Sequence, residues 1–306
     1  MSLWLVLPLV IWLGLVAAVA EGVDRLILRP RRLPVKGENA TLPCPVKGGQ
    51  MLVRRYGSSP DGAVIVVFPG MRGTNPFHKR ILVERLSAEH TLYLLSYPGQ
   101  EGAPGRARAT DVAKSIADVV RAVEAHSGRP AGEMIFVGTC IGASMAVLAA
   151  GRIRPRALVL VTLWMSPARI TRLFIAAHAP WKPLARLFPD FAFRMNASIR
   201  DALGRLDAVP ITIFQGEDDR VAPIDDLRSM LRPNWRVVPV VGADHFMTAR
   251  KCFPAFVDTV AAVAASREPP AHAVPSARVG VRTAGRAARD DGETVPSPAE
   301  FRTIGN

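Results

Sequence analysis

The segment that decides the fold reads "EMIFVGTCIGASMAVLAAG", residues 133–151. A short apolar run leads into a Gly-x-Cys-x-Gly turn, and small residues that suit a helix follow it. Gly138 and Gly142 flank Cys140, as is required where a turn is so tight that neighbouring side chains would collide. A cysteine at this corner is exposed at a helix N-terminus, where N–H groups and the helix dipole favour a thiolate. The alternative is a structural cysteine in a chance pattern.

Apolar runs and helical segments alternate on both sides of this turn. Continuous runs such as "AVIVVF" at 63–68 are typical of strands that are buried on both faces of a parallel sheet. The order predicts an α/β fold, with helices on both faces of a mostly parallel, doubly wound sheet. The predicted strands are residues 25–35, 51–57, 63–68, 91–97, 133–138, 157–164, 210–216 and 235–242. The first two are predicted as short edge strands, because prolines interrupt this part of the chain.

Three helices are predicted between and after these strands. The first begins at Thr110 or Asp111, since both are favourable N-cap residues, and ends at Gly128. The second covers residues 141–150. The third begins at Pro254, because proline is favoured in the first turn of a helix.

The alternation stops between residues 165 and 209, where the sequence is helical in character and rich in aromatic residues. We expect this segment to form a small cap over the sheet, within a domain of residues 51–266. Residues 267–306 show no apolar periodicity and are predicted to be a disordered tail.

Two acidic residues and a histidine follow later strands of the predicted sheet. Asp219 lies three residues after Gly216 at the exit of a strand, and the neighbouring Asp218 is the alternative. His245 follows the last strand, and of the six histidines it alone does so in a glycine-containing turn. Because the carboxyl ends of parallel strands meet at one edge, Cys140, an aspartate and His245 are candidates for a nucleophile–acid–base triad.

Five short motifs in this order resemble those of the α/β-hydrolase superfamily. They are "FPGMRG", "YPGQEG", "GTCIGAS", "GEDDRVAP" and "GADHF", and the resemblance covers the whole predicted domain. It implies an α/β-hydrolase fold in which Cys140 is the nucleophile, His245 the base and Asp219 the acid that orients the base. It also implies that the backbone N–H groups of Met71 and Ile141 form an oxyanion hole.

Two residues depart from the usual pattern of that superfamily. Pro69 stands where histidine is common in the oxyanion loop, and Cys140 stands where serine is usual. Cysteine occurs at this turn in dienelactone hydrolases, polyhydroxyalkanoate synthases and some thioesterase or acyltransferase relatives. A thiol would form a thioester intermediate, so we expect a hydrolase of esters or thioesters. The alternatives are an acyltransferase with the same triad and a binding protein that has kept the fold without activity.

The N-terminal 20 residues contain an uncharged apolar run from Leu3 to Ala20. This run approaches the roughly 20 residues that cross a bilayer, which predicts a transmembrane anchor. A signal peptide cleaved after Ala18-Val19-Ala20 is the alternative. The segment 21–50 that follows is basic, and the positive-inside rule places the rest of the chain in the cytoplasm. We therefore expect attachment to the inner, cytoplasmic membrane, or export if the run is cleaved.

The formal net charge of +13 lies largely between Arg25 and Arg55. No basic recognition helix, zinc-ligand set or aromatic-basic repeat accompanies it, so we expect anionic lipid headgroups rather than nucleic acid to face this charge. No metal or organic cofactor is implied. Abundant Ala, Arg and Pro are typical of a bacterial genome rich in G and C. Three cysteines do not make a disulfide framework, although pairing of Cys44 with Cys252 stays open.

Apolar residues of the predicted cap are candidates for an acyl pocket above Cys140. They are Trp164, Phe174, Trp181, Leu184, Leu187, Phe188, Phe191, Phe193 and Met195. More than half are expected only to pack the cap onto the sheet, and Trp164 and Phe188 are retained as candidate substrate contacts. Arg72 is a candidate contact for an anionic group. With the membrane segment, this pattern predicts a lipophilic acyl substrate, either a small molecule, a lipid or a carrier-bound acyl group.

Overall fold

The computed structural model describes residues 3–28, 42–74, 76–177, 182–228 and 230–266. Their centre is one eight-stranded sheet with the strand order β1-β2-β4-β3-β5-β6-β7-β8. The pairs from β4 through β8 are parallel, whereas β1 and β2 add to the edge in antiparallel pairing. The strands are β1 (Leu42–Val46), β2 (Gly49–Tyr56), β3 (Val64–Phe68), β4 (Thr91–Ser96), β5 (Ile135–Thr139), β6 (Ala157–Val161), β7 (Ile211–Gly216) and β8 (Trp235–Val240).

Helices cover both faces of this sheet, and alternate strand residues contribute to the two cores. Tyr93 and Leu95 pack with α3, α4 and α6, whereas Leu92 and Leu94 pack with α2 and α8. The helices are α1 (Leu3–Leu26), α2 (Pro76–Leu86), α3 (Ala109–Ser127), α4 (Ile141–Ile153), α5 (Pro167–Ala177), α6 (Arg194–Gly204), α7 (Asp225–Arg228) and α8 (His245–Ala265). Short 3-10 turns cover 131–133, 182–187 and 190–192. The predicted α/β-hydrolase fold, with its mostly parallel sheet, is confirmed.

The N-terminal edge of the sheet differs from the prediction. Strand β1 was not predicted, and its pairing with β2 moves β2 away from the edge. Pro43 and Pro45 lack N–H groups, which an edge strand tolerates because one of its sides has no neighbour. The predicted strand at 25–35 is wrong where it is described, since Arg25 and Leu26 belong to α1 and residues 27–28 form a bend. Residues 29–35 lie outside the described residues.

Two helix starts also differ from the prediction. Helix α3 begins at Ala109, and neither of the residues predicted to cap it does so. Instead Asp24 of α1 accepts hydrogen bonds from the backbone N–H of Thr110 (3.0 Å) and from its hydroxyl (2.5 Å). Helix α8 begins at His245 and not at Pro254, because the side chain of Asp244 caps it. Gly128 ends α3 in the left-handed conformation, as predicted.

Between β6 and β7 lie α5, two 3-10 turns and α6. Helix α6 is not part of a cap over the sheet edge, because it packs along α4 within the layer that covers one face. The two helices approach so closely that a Cβ on Gly151 would lie 2.8 Å from the Cβ of Ala202. The structure therefore limits the cap to α5 and the turns at 182–187 and 190–192. The predicted tail at 267–306 and Trp181 lie outside the described residues.

Helix α1 is the one helix of the described chain whose length and composition suit a membrane span, over Val6–Leu26. A signal sequence near an N-terminus has the same properties. The helix extends beyond the predicted boundary at residue 20 and reaches the domain through its C-terminal half.

Two of the three cysteines are buried in separate cores. Cys44 packs in the core that contains α3 and α4, whereas Cys252 packs in the core that contains α8. These cores lie on opposite faces of the sheet, so the two thiols do not pair and both are free.

Candidate active site

The turn between β5 and α4 holds Cys140 in a strained backbone conformation, with φ 54° and ψ −123°. A positive φ is costly for a residue with a side chain and is maintained only by the surrounding structure. Both flanking glycines are required by close backbone contacts. A Cβ on Gly142 would lie 2.2 Å from the carbonyl oxygen of Phe68, and a Cβ on Gly138 would lie 2.6 Å from that of Gly142. Such a turn places the Cys140 thiol at the carboxyl edge of the sheet.

The thiol lies beside the predicted histidine and aspartate. The Sγ atom of Cys140 is 3.2 Å from Nε2 of His245, and Nδ1 of His245 is 2.8 Å from Oδ2 of Asp219. The side chains of His245 and Asp219 are 10% and 0% exposed, whereas Asp218 is exposed. The structure therefore brings together Cys140, His245 and Asp219 and leaves the alternative acid Asp218 in solvent.

Four donors fix the carboxylate of Asp219. Its Oδ1 accepts the backbone N–H groups of Val221 (2.9 Å) and Ala222 (2.8 Å). Its Oδ2 accepts from the side-chain amide of Gln215 at 3.1 Å as well as from His245. Gln215 was not predicted. Its position, on the strand four residues before the acid, is the only sequence signal that could have indicated it.

The pKa of His245 is set by two opposing effects, its burial and its negatively charged neighbours. Burial lowers the pKa of the imidazole, but the negative charge of Cys140 and the hydrogen bond to Asp219 raise it, and together they raise the pKa of His245 to about 10. Histidine in water has a pKa of about 6.5. At neutral pH the protonated ring therefore lies beside the Cys140 sulfur, and a thiolate is the reactive form of a cysteine nucleophile.

The predicted oxyanion loop lies directly against the nucleophile. A Cβ on Gly70 would be 3.9 Å from the Cβ of Cys140, and the side-chain amide of Gln100 donates to the carbonyl oxygen of Met71 at 2.6 Å. Within the described part of the chain, the backbone N–H groups of Met71 and Ile141 donate to no protein acceptor. Both N–H groups thus remain available to a negatively charged oxygen near Cys140.

Residues after β4 hold this loop in place and were not predicted. The carboxylate of Glu101 accepts from the backbone N–H of Thr74 (3.2 Å) and from the hydroxyl of Ser96 (2.5 Å). Arg54 donates to Ser96 and to the carbonyl oxygen of Glu101. This network joins β2, β4 and the oxyanion loop, and the motif "YPGQEG" was the sequence signal for it.

Tyr97 begins the motif "YPGQEG", but no role was predicted for its side chain. Its side chain is fully buried, and its hydroxyl has no hydrogen-bond partner among the described residues. Burial raises the pKa of Tyr97, and the negative charge of Cys140 raises it further. The hydroxyl therefore lies within electrostatic range of the Cys140 sulfur.

The residues proposed from the sequence to contact substrate have different surroundings. Trp164 is 1% exposed, and its indole N–H donates to the carbonyl oxygen of Ser166 at 3.0 Å. Phe188 is buried in a small core that also contains Val16 of α1. Arg72 is exposed. Their role in substrate binding stays a prediction, and the structure gives the two aromatic side chains a packing role. No group of three or more potential metal ligands occurs within the described ranges.

The fold agrees with comparisons to known proteins. A family model described as the alpha/beta hydrolase family matches residues 65–251, which is more than half of the chain. The protein therefore belongs to the alpha/beta hydrolase family, and the prediction of a hydrolase is confirmed at this level. No curated protein matches the sequence.

Three examples of solved structures that resemble this chain in fold share little sequence with it. MGS-M2, an alpha/beta hydrolase from a Medee basin deep-sea metagenome library, is 15% identical, with 74% of this chain and 98% of that chain covered and a TM-score of 0.53. DcsB in complex with its substrate analogue is 15% identical, with 72% and 96% covered and a TM-score of 0.56. The esterase RhEst1 from Rhodococcus sp. ECU1013 is 17% identical, with 73% and 98% covered and a TM-score of 0.52. At these identities the likeness shows the fold alone.

Proposed function

We propose that the protein is a membrane-associated esterase or thioesterase that acts on a lipophilic acyl substrate through a Cys140-acyl intermediate. The observation that carries this proposal is the contact between Cys140 and His245, at 3.2 Å, at a strained turn that opens onto the carboxyl edge of the sheet. Asp219 completes the set at 2.8 Å from the other ring nitrogen. These are the positions of nucleophile, base and orienting acid in a hydrolytic triad.

The first half of the reaction acylates the enzyme. The thiolate of Cys140 attacks the acyl carbon and forms an S–C bond, while the carbonyl electrons move to the oxygen. The N–H groups of Met71 and Ile141 donate to this oxyanion. The C=O bond then re-forms and the bond to the leaving group breaks, and the leaving group takes the Nε2 proton of His245.

The second half releases the acyl group. His245 is now neutral and accepts a proton from water, whose oxygen attacks the thioester carbon. Collapse of the second oxyanion breaks the S–C bond, which leaves a carboxylic acid, the thiolate of Cys140 and a protonated imidazole. Asp219 keeps the ring in the same orientation through both halves, because its carboxylate is held by Gln215 and by two backbone N–H groups.

The preference for a lipophilic acyl group is supported by the surroundings of the site. The cap carries exposed apolar side chains, including Phe191 at 69% and Leu187 at 56% exposure. The apolar helix α1 packs against this same cap. An apolar cap next to an apolar N-terminal helix favours a substrate that partitions into membranes.

The test is to trap the acyl group on the enzyme. Full-length protein in detergent micelles is incubated with p-nitrophenyl esters and acyl thioesters, from acetyl to dodecanoyl, and intact-mass and peptide mass spectrometry locate the adduct. We expect an adduct on Cys140, release of free acid, and higher kcat/KM for the longer chains. An adduct at another residue, or neither adduct nor acid with any substrate, would refute the proposal. Transfer to an added alcohol or amine without free acid would instead identify an acyltransferase.

A matched pair of variants tests the role of the acid. Asp219→Asn should lower kcat/KM by about 10³- to 10⁴-fold, because the amide cannot support a protonated imidazole. Asp218→Asn should stay within about twofold of wild type, because that side chain is exposed and, among the described residues, the imidazole of His245 bonds to Asp219 instead. Equal losses in both variants would contradict the assigned triad.

A further inference from the structure

Helix α1 is packed against the protein along one face. Trp12, Val16, Ala20 and Val23 recur at helical spacing and contact a core formed by cap residues, including Phe188. Val16 is 7% exposed, although it lies within the apolar run. The apolar run is thus attached to the domain well before its C-terminal end.

Polar contacts fix the end of the helix. Asp24 is buried, and its carboxylate accepts both hydrogen bonds of Thr110 at the first turn of α3. Glu21 forms an ion pair with Arg108 at 3.2 Å. A buried carboxylate that caps a helix of the domain is costly to remove, because α3 has no side-chain cap of its own. This end of α1 is therefore a structural part of the hydrolase domain.

The remaining surface of α1 carries large apolar side chains that are exposed. These residues are Leu7, Leu9, Val10, Ile11, Leu13, Leu15, Val19 and Leu26, with exposures between 38% and 62%. A continuous apolar surface of this kind marks a membrane or protein interface. The basic residues that follow in the sequence, such as Arg29, Arg31 and Arg32, suit anionic lipid headgroups and favour a membrane as the occupant.

Whether α1 can cross a bilayer depends on how many of its residues lie beyond the part that packs on the domain. Helix α1 begins at Leu3 and its packed face begins at Trp12, so nine residues precede that face. Nine helical residues rise about 13 Å, whereas the hydrocarbon core of a bilayer is about 30 Å thick. We infer that α1 enters a single leaflet with its exposed face in lipid and does not cross the bilayer while it is packed on the cap. This inference rests on the membrane association in the proposed function, and it brings the cap next to the lipid surface.

The first experiment measures topology. One epitope tag precedes Met1 and another follows Asn306, and protease is added to spheroplasts and to inverted membrane vesicles of cells that express the chain. We expect both tags to be digested in the same preparation. Digestion in opposite preparations would show a transmembrane helix, and loss of the N-terminal tag by processing near Ala20 would show a signal peptide. Either result would overturn the inference.

The second experiment tests the lipid-facing side with matched variants. Leu13 and Leu231 are both 42% exposed, and only Leu13 lies on α1. In flotation with vesicles of phosphatidylcholine and phosphatidylglycerol, Leu13→Lys should reduce binding by about tenfold or more, and Leu231→Lys should leave it unchanged. Unchanged binding of Leu13→Lys, or a change only in its oligomeric state in detergent, would contradict a lipid-facing helix. Neither experiment measures hydrolysis, so a failure here leaves the chemistry of Cys140 to be judged by its own adduct assay.

Discussion

Helices α4 and α8 begin at the same edge of the sheet and each presents a site residue there, but their first turns differ. At α4, Cys140 has a positive φ and gives the helix no side-chain cap. At α8, Asp244 has an extended backbone, and its carboxylate accepts the N–H groups of Phe246 (3.0 Å) and Met247 (2.8 Å). The N-terminus of α4 is therefore open, in that no side chain caps it, and that of α8 is closed by the side chain of Asp244.

The difference separates the two tasks of the site. The open start of α4 leaves the N–H of Ile141 available, so the positive end of the helix can stabilise the thiolate and an oxyanion. The closed start of α8 satisfies its own donors and only holds His245 in place. The same helices also hold two cysteines in opposite environments. Cys140 is partly exposed at an N-terminus, whereas burial inside α8 raises the pKa of Cys252 to about 12.

The largest expected effect comes from replacing Cys140 with alanine, and the same replacement at Cys252 is the matched control. Cys140→Ala should lower kcat/KM by at least about 10⁴-fold, because the acyl intermediate of the proposed reaction forms on its sulfur. Cys252→Ala should keep kcat/KM within a few-fold and lower the free energy of unfolding by about 1 kcal/mol. Ester hydrolysis and urea unfolding measure the two quantities. Comparable losses of activity in both variants would remove the distinction between the helices.

The next effect concerns the tight contact at the start of α4. Gly142→Ala should destabilise the fold by about 3 kcal/mol or prevent folding, because the added methyl group would meet the backbone oxygens of Phe68 and Pro69. Gly204→Ala is the matched control at the end of α6, where nothing lies within 4 Å of the added carbon. It should be neutral or stabilise by up to about 1 kcal/mol. Equal denaturation midpoints for the two variants would contradict the packing of this turn.

The third effect is a change in the titration of His245. The negative charge of Cys140 helps to raise the pKa of this ring to about 10, so in Cys140→Ala the pKa should fall well below that value because burial then dominates. Since the folded-state pKa is raised, protonation of the ring stabilises the wild-type fold below about pH 6.5 and this contribution is lost as pH rises through about 10. The activity of the wild type should fall over the same alkaline range, as the proton for the leaving group is lost.

Titration of the imidazole by NMR in the two proteins measures this shift. An imidazole that titrates at the same pH with and without the thiol would show that no thiolate–imidazolium pair exists.

The smallest effect comes from the closed helix. Asp244→Ala should lower the free energy of unfolding by about 0.5–2 kcal/mol, because two N–H groups of α8 lose their acceptor. Thermal unfolding measures it. Asp244→Asn keeps an acceptor and should recover most of the loss, and failure to do so would indicate that the cap does not stabilise this helix start.

The parts of the fold that follow from local patterns could be predicted from the sequence. Buried parallel strands such as β3 and β5 are continuous apolar runs, so they can be predicted without knowledge of the strands beside them. The turn between β5 and α4 could be found because Gly138 and Gly142 are needed by the backbone of one short segment. Strand β1 could not be found, because its two prolines are tolerated only at the edge position that the whole sheet creates.

The site was predictable only in part for the same reason. Cys140, Asp219 and His245 follow strand ends, and the candidates could be ranked from that placement. The groups that hold them were missed, because Gln215 and Glu101 are ordinary polar residues until the fold turns them towards Asp219 and Thr74. Residues predicted to line a pocket, such as Phe188, were given another role by a helix far away in sequence.

The sequence by itself determined the buried parallel strands, the glycine-flanked cysteine and the apolar character of the N-terminal segment, since each depends on residues that are close together in the chain. Only the tertiary structure decided that Asp219 rather than Asp218 meets His245, that α8 begins at that histidine, and that α1 packs on the cap. These outcomes depend on contacts between distant residues, whose free energy exists only once the sheet has brought them within a few ångströms of one another.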